Sequence, residues 1–208
     1  MMDLNGDKSK IFLVICFLIL TFSSNDAFAD AGIFAGAANR SLSGAIALES
    51  GFGPELGFVL PFSSYLELNA CLVLPRKYDV KDPQGQIFSD SDYYRLYSSM
   101  QYLSYSGGIT LYGRFRQEQQ WLPCIAFDMG KAVVFGSGKD GFSGLSIGWE
   151  AGVCYEFNAK WRFELIYSRL TASLSKMKLD GQISSLENEV SVTCNSLRFS
   201  AVYWLSLF

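Results

Sequence analysis

A run of strict alternation at residues 145–169 constrains the fold of this chain more than any other feature. In the first half, up to Phe157, every odd position is apolar or aromatic and every even position is small or charged. The same alternation resumes at Trp161 and continues to Tyr167. A period of two residues is typical of a strand with one apolar face and one polar face. The two segments therefore predict a β-hairpin around residues 158–160.

The register of this hairpin follows from the alternation, because opposed residues must lie on the same face of a sheet. A three-residue turn that places Phe157 opposite Trp161 satisfies this condition. The same register places Glu156 opposite Arg162 on the polar face. It also places Tyr155 opposite Phe163 on the apolar face.

The hairpin alone is compatible with two architectures. In a soluble sandwich or barrel the large side chains point inward, whereas in an outer-membrane barrel they point into lipid and the charged residues line the lumen. The rest of the sequence favours the second arrangement.

Six further segments show the same alternation and predict strands. They are residues 32–38, 53–62, 66–74, 103–115, 121–136 and 197–207. Short turns at 63–65, 116–120 and 158–160 alternate with predicted exposed loops at 39–44, 76–101, 137–143 and 177–194. Short turns on one side and longer loops on the other are typical of outer-membrane barrels, with the short side in the periplasm. We therefore predict an all-β fold, an eight-stranded antiparallel up-and-down transmembrane β-barrel.

The N-terminal segment, residues 1–29, has the pattern of a cleaved signal peptide. Lys8 and Lys10 precede an apolar run at residues 11–22, and Ala27-Phe28-Ala29 matches a cleavage site. The apolar run is shorter than the roughly 20 residues that a spanning helix needs. Residues 30–208 are then one barrel domain.

Composition agrees with a membrane barrel. Half of the residues are hydrophobic, 15% are aromatic, and the mean hydropathy is +0.17, yet no later segment has the length and apolarity of a membrane helix. The formal net charge of −3 gives no basic excess, which argues against nucleic acid as a partner.

The cysteines that follow the signal peptide match no zinc or redox motif. Cys71, Cys124 and Cys154 fall in the phase predicted to face the lumen, where a small side chain fits.

Aromatic residues gather near the short turns, as expected for a girdle at the periplasmic interface. The predicted girdle consists of Phe62, Phe115, Trp121, Tyr155, Phe157, Trp161, Phe163 and Tyr203. Lys131 interrupts the apolar phase of its strand, and near a membrane interface its ammonium group can reach water by snorkelling.

Tyrosines in and beside the first long loop form a possible binding surface or an outer-interface anchor. These are Tyr78, Tyr93, Tyr94, Tyr97 and Tyr102.

The polar phases of the strands predict a network of opposite charges inside the lumen, because an unpaired buried charge costs several kcal/mol. Its members are Glu67, Arg114, Asp128, Glu150, Glu156, Arg162, Glu164 and Arg198. Eight strands leave an interior that side chains fill, so we predict no open pore. The sequence contains no histidine, which removes Ser-His and Cys-His activation and histidine metal sites. We predict no catalytic residues, no metal and no cofactor.

Three segments together resemble the PorT-like family of small outer-membrane barrels. They are residues 32–44, 56–68 and 152–168, which are similar to the family's opening strand, second hairpin and penultimate hairpin. The resemblance implies the outer membrane of a Gram-negative cell envelope and a porin-like barrel that depends on the barrel assembly machinery. Such barrels usually end in a lipid-facing aromatic residue, but Phe208 lies in the opposite phase to the apolar face of its strand.

These observations predict a non-enzymatic integral outer-membrane protein. Its expected partners are outer-membrane lipid, the assembly machinery during biogenesis, and an extracellular ligand of unknown identity that the loops bind. The alternative is a soluble, secreted lipocalin-like barrel that carries an apolar ligand, which requires the large side chains to face inward.

Overall fold

A computed structural model describes residues 30–81, 86–88, 93–95, 99–115, 118–136, 140–179 and 182–206 of the chain. The predicted signal peptide, residues 1–29, lies outside the described residues. In the described part, no helix has the length and apolarity needed to cross a membrane.

Eight antiparallel strands close into a barrel in the order β1-β10-β9-β8-β7-β6-β3-β2. The barrel strands are β1 (Asp30–Gly44), β2 (Leu48–Pro61), β3 (Leu66–Asp79), β6 (Ser99–Tyr112), β7 (Trp121–Phe135), β8 (Gly141–Asn158), β9 (Trp161–Leu179) and β10 (Gln182–Ser206). Among the described residues, two short strands, β4 (Gln86–Phe88) and β5 (Tyr93–Arg95), form a separate two-stranded sheet. The predicted architecture of eight strands is confirmed.

The strand register fixes the shape of the barrel. A path of directly paired residues starts at Trp161 of β9, passes Tyr203 of β10 and Ile33 of β1, and returns to β9 at Thr171, ten residues further along. A shear of this size with eight strands tilts the strands by about 40° from the barrel axis. The interior of such a barrel is narrow enough for side chains to fill it.

The large apolar side chains point away from the barrel axis. Trp149 is 40% exposed, Leu165 48% and Leu205 36%, whereas Glu164 and Arg162 of the same sheet are buried inside. A continuous apolar exterior around a charged interior is the arrangement that lipid requires. The lipocalin-like alternative is wrong, because it needs these large residues to face the interior.

The central hairpin has the predicted pairs Glu156 with Arg162 and Tyr155 with Phe163, but its turn is tighter than expected. Asn158 pairs with Trp161, and the register shifts between Glu156 and Asn158. Phe157 therefore lies in a bulge and does not face Trp161. The Asn158 side-chain oxygen accepts hydrogen bonds from the backbone N–H groups of Lys160, at 2.8 Å, and Trp161, at 3.0 Å. These bonds stabilise a two-residue turn at residues 159–160.

The first strand continues through residues 39–44, which we predicted as a loop. Its inward-facing side chains there are Arg40 and Leu42, both buried. The strand ends at Gly44, whose φ of 113° lies in the region that favours glycine. The predicted loop at 137–143 is also shorter, since β8 begins at Gly141.

The largest correction concerns residues 177–194, which we predicted as a polar loop. They form the ends of β9 and β10, apart from residues 180–181, which are not described. Val190, Val192 and Cys194 are buried in the interior, and Ser191 faces outward. Above the lipid, the outer face meets water, so the apolar side chains lie inside and polar ones lie outside. A search for apolar outward phases therefore missed this part of the strands.

The predicted loop at 76–101 is likewise shorter. The strand β3 continues to Asp79 after a register shift between Val73 and Arg76, and β6 begins at Ser99. The small β4–β5 sheet lies between them in sequence. Within the described residues, the extracellular part of the molecule is thus built largely from extended strands.

Candidate functional site

Arg162 is the centre of a charged layer inside the barrel. Its side chain is 1% exposed and binds both oxygens of Glu67, at 2.6 and 2.9 Å. Its Nε donates to Glu164 at 3.0 Å. The guanidinium also lies against the rings of Tyr112 and Trp204, with centroids at 5.1 and 5.0 Å. Each nitrogen of the Arg162 guanidinium therefore has a carboxylate partner, and two aromatic rings contact the group, which is what a buried cation requires.

A second part of the layer is built around Arg198 of the last strand. Its guanidinium donates to Glu150 at 3.0 Å and to Glu55 at 3.4 Å, and lies 5.3 Å from the ring centroid of Phe34. Glu55 also accepts a hydrogen bond from Arg40, which is 1% exposed. The layer thus connects side chains of β1, β2, β8 and β10 across the barrel.

Asp128 has no salt-bridge partner within the described part of the chain. It is 6% exposed, and Asn69 forms a hydrogen bond with it. Its other oxygen, Oδ2, and Oδ1 of Asn69 have no hydrogen-bond partner in that part. Both residues line a cavity of about 20 Å³ together with Thr110 and Glu150. A polar cavity of this volume has room for one water molecule.

Arg114 and Glu156 form a separate ion pair at the periplasmic end, at 2.6 Å. Their side chains are 19% and 34% exposed, so this pair lies closer to solvent than the central layer. The structure therefore divides the predicted network into a buried central layer and a peripheral pair. Asp128 joins neither through an ion pair.

Apolar clusters close the interior on either side of the charged layer. The cluster at the extracellular end is the largest and includes Leu42, Met100, Phe142, Leu174 and Val192, all at most 2% exposed. Smaller clusters lie around Leu122 and around Phe34. The charged layer is thus enclosed by packed apolar side chains within the described residues.

Two of the predicted surface tyrosines are inside the barrel. Tyr78 is 4% exposed and Tyr102 is 2% exposed, and both belong to the extracellular apolar cluster. They face inward because β3 and β6 continue beyond the lipid, where the apolar phase turns toward the axis. Of the other three, Tyr93 and Tyr94 lie in β5, of which only the backbone is described, and Tyr97 lies outside the described residues.

The aromatic residues near the short turns lie on the outer surface. Phe62, Phe115, Trp121, Phe157 and Trp161 are exposed. Ring centroids are 4.6 Å apart for Trp121 and Tyr155, 4.9 Å for Trp161 and Tyr203, and 6.3 Å for Phe157 and Phe163. These rings form an outward-facing belt at one end of the barrel, where a membrane interface favours aromatic side chains.

Sequence reasoning missed two members of the central layer, Arg40 and Glu55. Arg40 follows the segment that we predicted as the first strand, so it was placed in a loop. Glu55 lies within the predicted second strand, in the phase opposite to Leu56 and Phe58. Its phase was therefore a usable signal for a lumen position.

The described cysteines are free thiols. The Sγ atoms of Cys124 and Cys154 are 3.6 Å apart on neighbouring strands inside the barrel. Cys71 lies beside Glu55, with its Sγ 3.9 Å from a carboxylate oxygen. No group of three or more metal-ligating side chains comes together in the described part of the chain.

No protein-family model matches the sequence, and no curated protein matches it. The fold is similar to those of several solved outer-membrane proteins. The crystal structure of Neisserial surface protein A (NspA) superimposes with a TM-score of 0.56 at 13% identity, covering 83% of this chain and 96% of that one. The outer membrane protein OprG from Pseudomonas aeruginosa gives 0.55 at 14% identity, covering 85% and 96%. The outer membrane protein AlkL gives 0.56 at 11% identity, covering 89% and 94%.

Similarity at this level of identity concerns the fold alone. Taken with the apolar exterior, the charged interior and the aromatic belt, it identifies the chain as an integral β-barrel protein of the outer membrane.

Proposed function

We propose that this protein is a non-conducting, non-enzymatic outer-membrane barrel that binds other molecules at its extracellular rim. The observation that supports this most directly is the filled interior. The Arg162 layer crosses the barrel, and the apolar cluster around Phe142 and Leu174 covers it on the extracellular side. A solute would have to break several ion pairs to pass.

Conductance measurements test the closed interior. The full-length protein, folded into planar lipid bilayers, is expected to give no unitary current steps at low voltage. Stable current steps, present with the folded protein and absent with a heat-unfolded sample, would contradict the proposal.

The pairing of the interior carboxylates with arginines supports the absence of an enzymatic role. Glu67, Glu150 and Glu164 are engaged by Arg162 and Arg198 in the interior, and the sequence provides no histidine as a general base. Lipid analysis of cells that overproduce the protein tests this. Unchanged acyl chains of lipid A and phospholipids are expected, and a new or missing chain would refute the proposal.

The rim is proposed as the binding surface because of the β9–β10 hairpin. The last β1 partner of β10 is Gly44, opposite Val192. Among the described strands, residues 182–185 and Val190 of β10 therefore pair only with β9, and the register shifts between Ser185 and Val190. Ile183 on this segment is 69% exposed. An open strand edge with an exposed apolar side chain is a surface to which an extended segment of a partner protein can pair.

A photo-reactive amino acid at position 183 tests this proposal in intact cells. It is expected to give one discrete crosslinked protein, and excess purified barrel should compete for the crosslink. The matched control is position 33, where Ile33 is 52% exposed on the lipid-facing side of β1. Equal crosslinking from both positions, or none from position 183, would argue against a protein partner at the rim.

Two further proposals concern the ends and the relatives of the chain. We infer that residues 1–29 are a signal peptide, with cleavage after Ala29, which N-terminal sequencing of the membrane-embedded protein tests.

We also propose membership of the PorT-like family, supported by the segments at 32–44, 56–68 and 152–168. Dependence on the barrel assembly machinery is expected, and normal insertion after depletion of that machinery would contradict it.

A further inference from the structure

The interior of the barrel contains more carboxylates than guanidinium groups. Among the described residues, the central layer and Asp128 together contain three arginines and five carboxylates: Arg40, Arg162 and Arg198, and Glu55, Glu67, Asp128, Glu150 and Glu164. The peripheral pair of Arg114 and Glu156 is neutral in itself. An uncompensated charge is costly to bury. The excess negative charge therefore requires either protons or a cation.

The excess carboxylates lie at one cavity. When one carboxylate is assigned to each arginine by the shortest N–O distance, Glu164 and Asp128 remain. Glu164 shares Arg162 with Glu67, at 2.8 Å from a guanidinium nitrogen. Asp128 forms no ion pair within the described part of the chain. Both carboxylates line the cavity of about 20 Å³ that also contacts Asn69 and Thr110.

The strand register creates the polar side of this cavity. Asn69 of β3, Gly108 of β6 and Asp128 of β7 lie in one row of directly paired residues. Gly108 has no side chain, and a Cβ atom at this position would overlap Oδ1 of Asp128. The glycine thus leaves room for the hydrogen bond that Asn69 donates to Asp128. Nδ2 of Asn69 also donates to Thr110 at 2.9 Å.

Two oxygens at the cavity have no partner. Oδ2 of Asp128 and Oδ1 of Asn69 are buried and accept no hydrogen bond from the described residues. The Asp128 residue itself is only 6% exposed. Because Nδ2 of Asn69 serves both Thr110 and Asp128, the orientation of the amide is fixed and Oδ1 remains an acceptor. The cavity therefore favours a ligand that is positively charged or donates hydrogen bonds.

A small cation fits this cavity better than water or a larger ion. One water molecule satisfies both oxygens, but it leaves the excess charge uncompensated. Carboxylate, amide and hydroxyl oxygens are ligands of hard cations. Mg²⁺ keeps several of its waters and Ca²⁺ takes about six to eight oxygens, whereas this cavity has room for one water-sized particle. The described residues also bring together no group of three or more His, Cys, Asp or Glu side chains that could hold a metal ion. A dehydrated monovalent cation meets these limits.

We propose that the cavity binds one sodium ion, with Oδ2 of Asp128 and Oδ1 of Asn69 as ligands and Thr110 and Glu150 on the cavity wall beside them. The ion compensates the charge of the carboxylate that has no arginine. The expectation of no metal rested on the missing histidines, which a sodium site does not use. This inference goes beyond the binding proposed at the rim, because it concerns a ligand inside the barrel.

The dependence of unfolding on sodium tests the proposal. The full-length protein, folded in vesicles, is unfolded in urea at fixed pH and chloride concentration, with sodium replaced stepwise by tetramethylammonium, which is too large for the cavity. The ratio of folded to unfolded protein is read from the mobility of unboiled samples on gels. Above the dissociation constant, this ratio is expected to rise about tenfold for each tenfold increase in sodium, because the ion binds only the folded state.

The variant D128N is expected to lose this dependence. In tetramethylammonium alone, D128N is expected to be at least as stable as the unmodified protein, because it removes a buried charge, so the readout is the response to sodium. The matched control is E156Q, the same change of carboxylate to amide in the peripheral pair, which is expected to keep the full response. A ratio independent of sodium in the unmodified protein, as expected for water or a proton in the cavity, would overturn the proposal. An equal response in D128N would also overturn it.

Nuclear magnetic resonance of the folded protein provides a measurement that needs no unfolding and no folded D128N. The side-chain amide signals of Asn69 in the detergent-solubilised protein are assigned by their loss in Asn69→Leu. These signals are expected to move when sodium replaces tetramethylammonium, with a midpoint at the dissociation constant from the unfolding experiment. Signals that stay in place across the titration would refute a sodium ion at Asn69.

Discussion

Removal of the Arg162 guanidinium is the most direct perturbation of the charged layer. In the variant Arg162→Met, the apolar stem keeps its packing, but the carboxylates of Glu67 and Glu164 lose their main cation. Glu67 keeps the hydrogen bond from Tyr112 at 2.7 Å, and Glu164 keeps the one from Ser200 at 2.9 Å. These bonds offset part of the loss.

Breaking a buried ion pair by removing one partner costs about 3 to 5 kcal/mol. Because both carboxylates retain one hydrogen bond, we expect the lower part of this range, about 3 kcal/mol. With a urea dependence of about 1.5 kcal/mol per molar, the unfolding midpoint falls by about 2 M. The midpoint is read from the mobility of unboiled samples on gels, since the folded barrel and the unfolded chain migrate differently.

Two matched variants separate charge from packing. Arg114→Gln breaks an ion pair whose side chains are 19% and 34% exposed, and we expect a loss of at most about 1 kcal/mol. The variant R162M/E67Q/E164Q removes the cation and both carboxylates, and is expected to recover most of the stability. A midpoint for R162M that equals that of R114Q, or a triple variant no more stable than R162M, would refute this reasoning.

Three further predictions follow from the same structure. Asp128→Asn is expected to leave stability unchanged or to raise it by up to about 2 kcal/mol, because a buried carboxylate without an ion pair is lost; a clear fall in the urea midpoint would contradict this. Leu165→Arg, on the lipid face, should cost about 2 to 4 kcal/mol in vesicles, whereas Leu165→Met should cost little; tolerance of the arginine would place this face outside the hydrocarbon. A mild oxidant should link Cys124 to Cys154, whose Sγ atoms are 3.6 Å apart, and peptide mapping that instead finds Cys194 in a disulfide would contradict the described geometry.

The orientation of side chains within the membrane followed from the sequence because lipid imposes a simple rule. Each outward position between Leu145 and Phe157 is apolar or aromatic, so the phase of β8 is readable directly. The same rule fails above the membrane. Val190 and Val192 face inward there while Ser191 faces water, and a segment of this kind has the composition of a loop.

The partners within the charged layer were less accessible to sequence reasoning. Glu67 and Arg162 are 95 residues apart, and Glu55 and Arg198 are 143 apart. Their contact depends on the shear of the closed barrel, which the alternation of one strand does not reveal. The alternation along each strand predicts that these residues face the lumen. The register of all the strands together determines which of them contact one another.

The position of the ion pairs has a consequence for biogenesis. Arg40 lies on β1 and Arg198 on β10, the two strands that meet where the chain closes on itself. Glu55 on β2 contacts both arginines, so it lies beside the seam. A growing sheet of the first seven barrel strands lacks the contact between Arg198 and Glu55, and the last strand, β10, completes it. Closure of the barrel and pairing of these interior charges then occur together. Opening of the seam between β1 and β10 would expose charged side chains to the membrane.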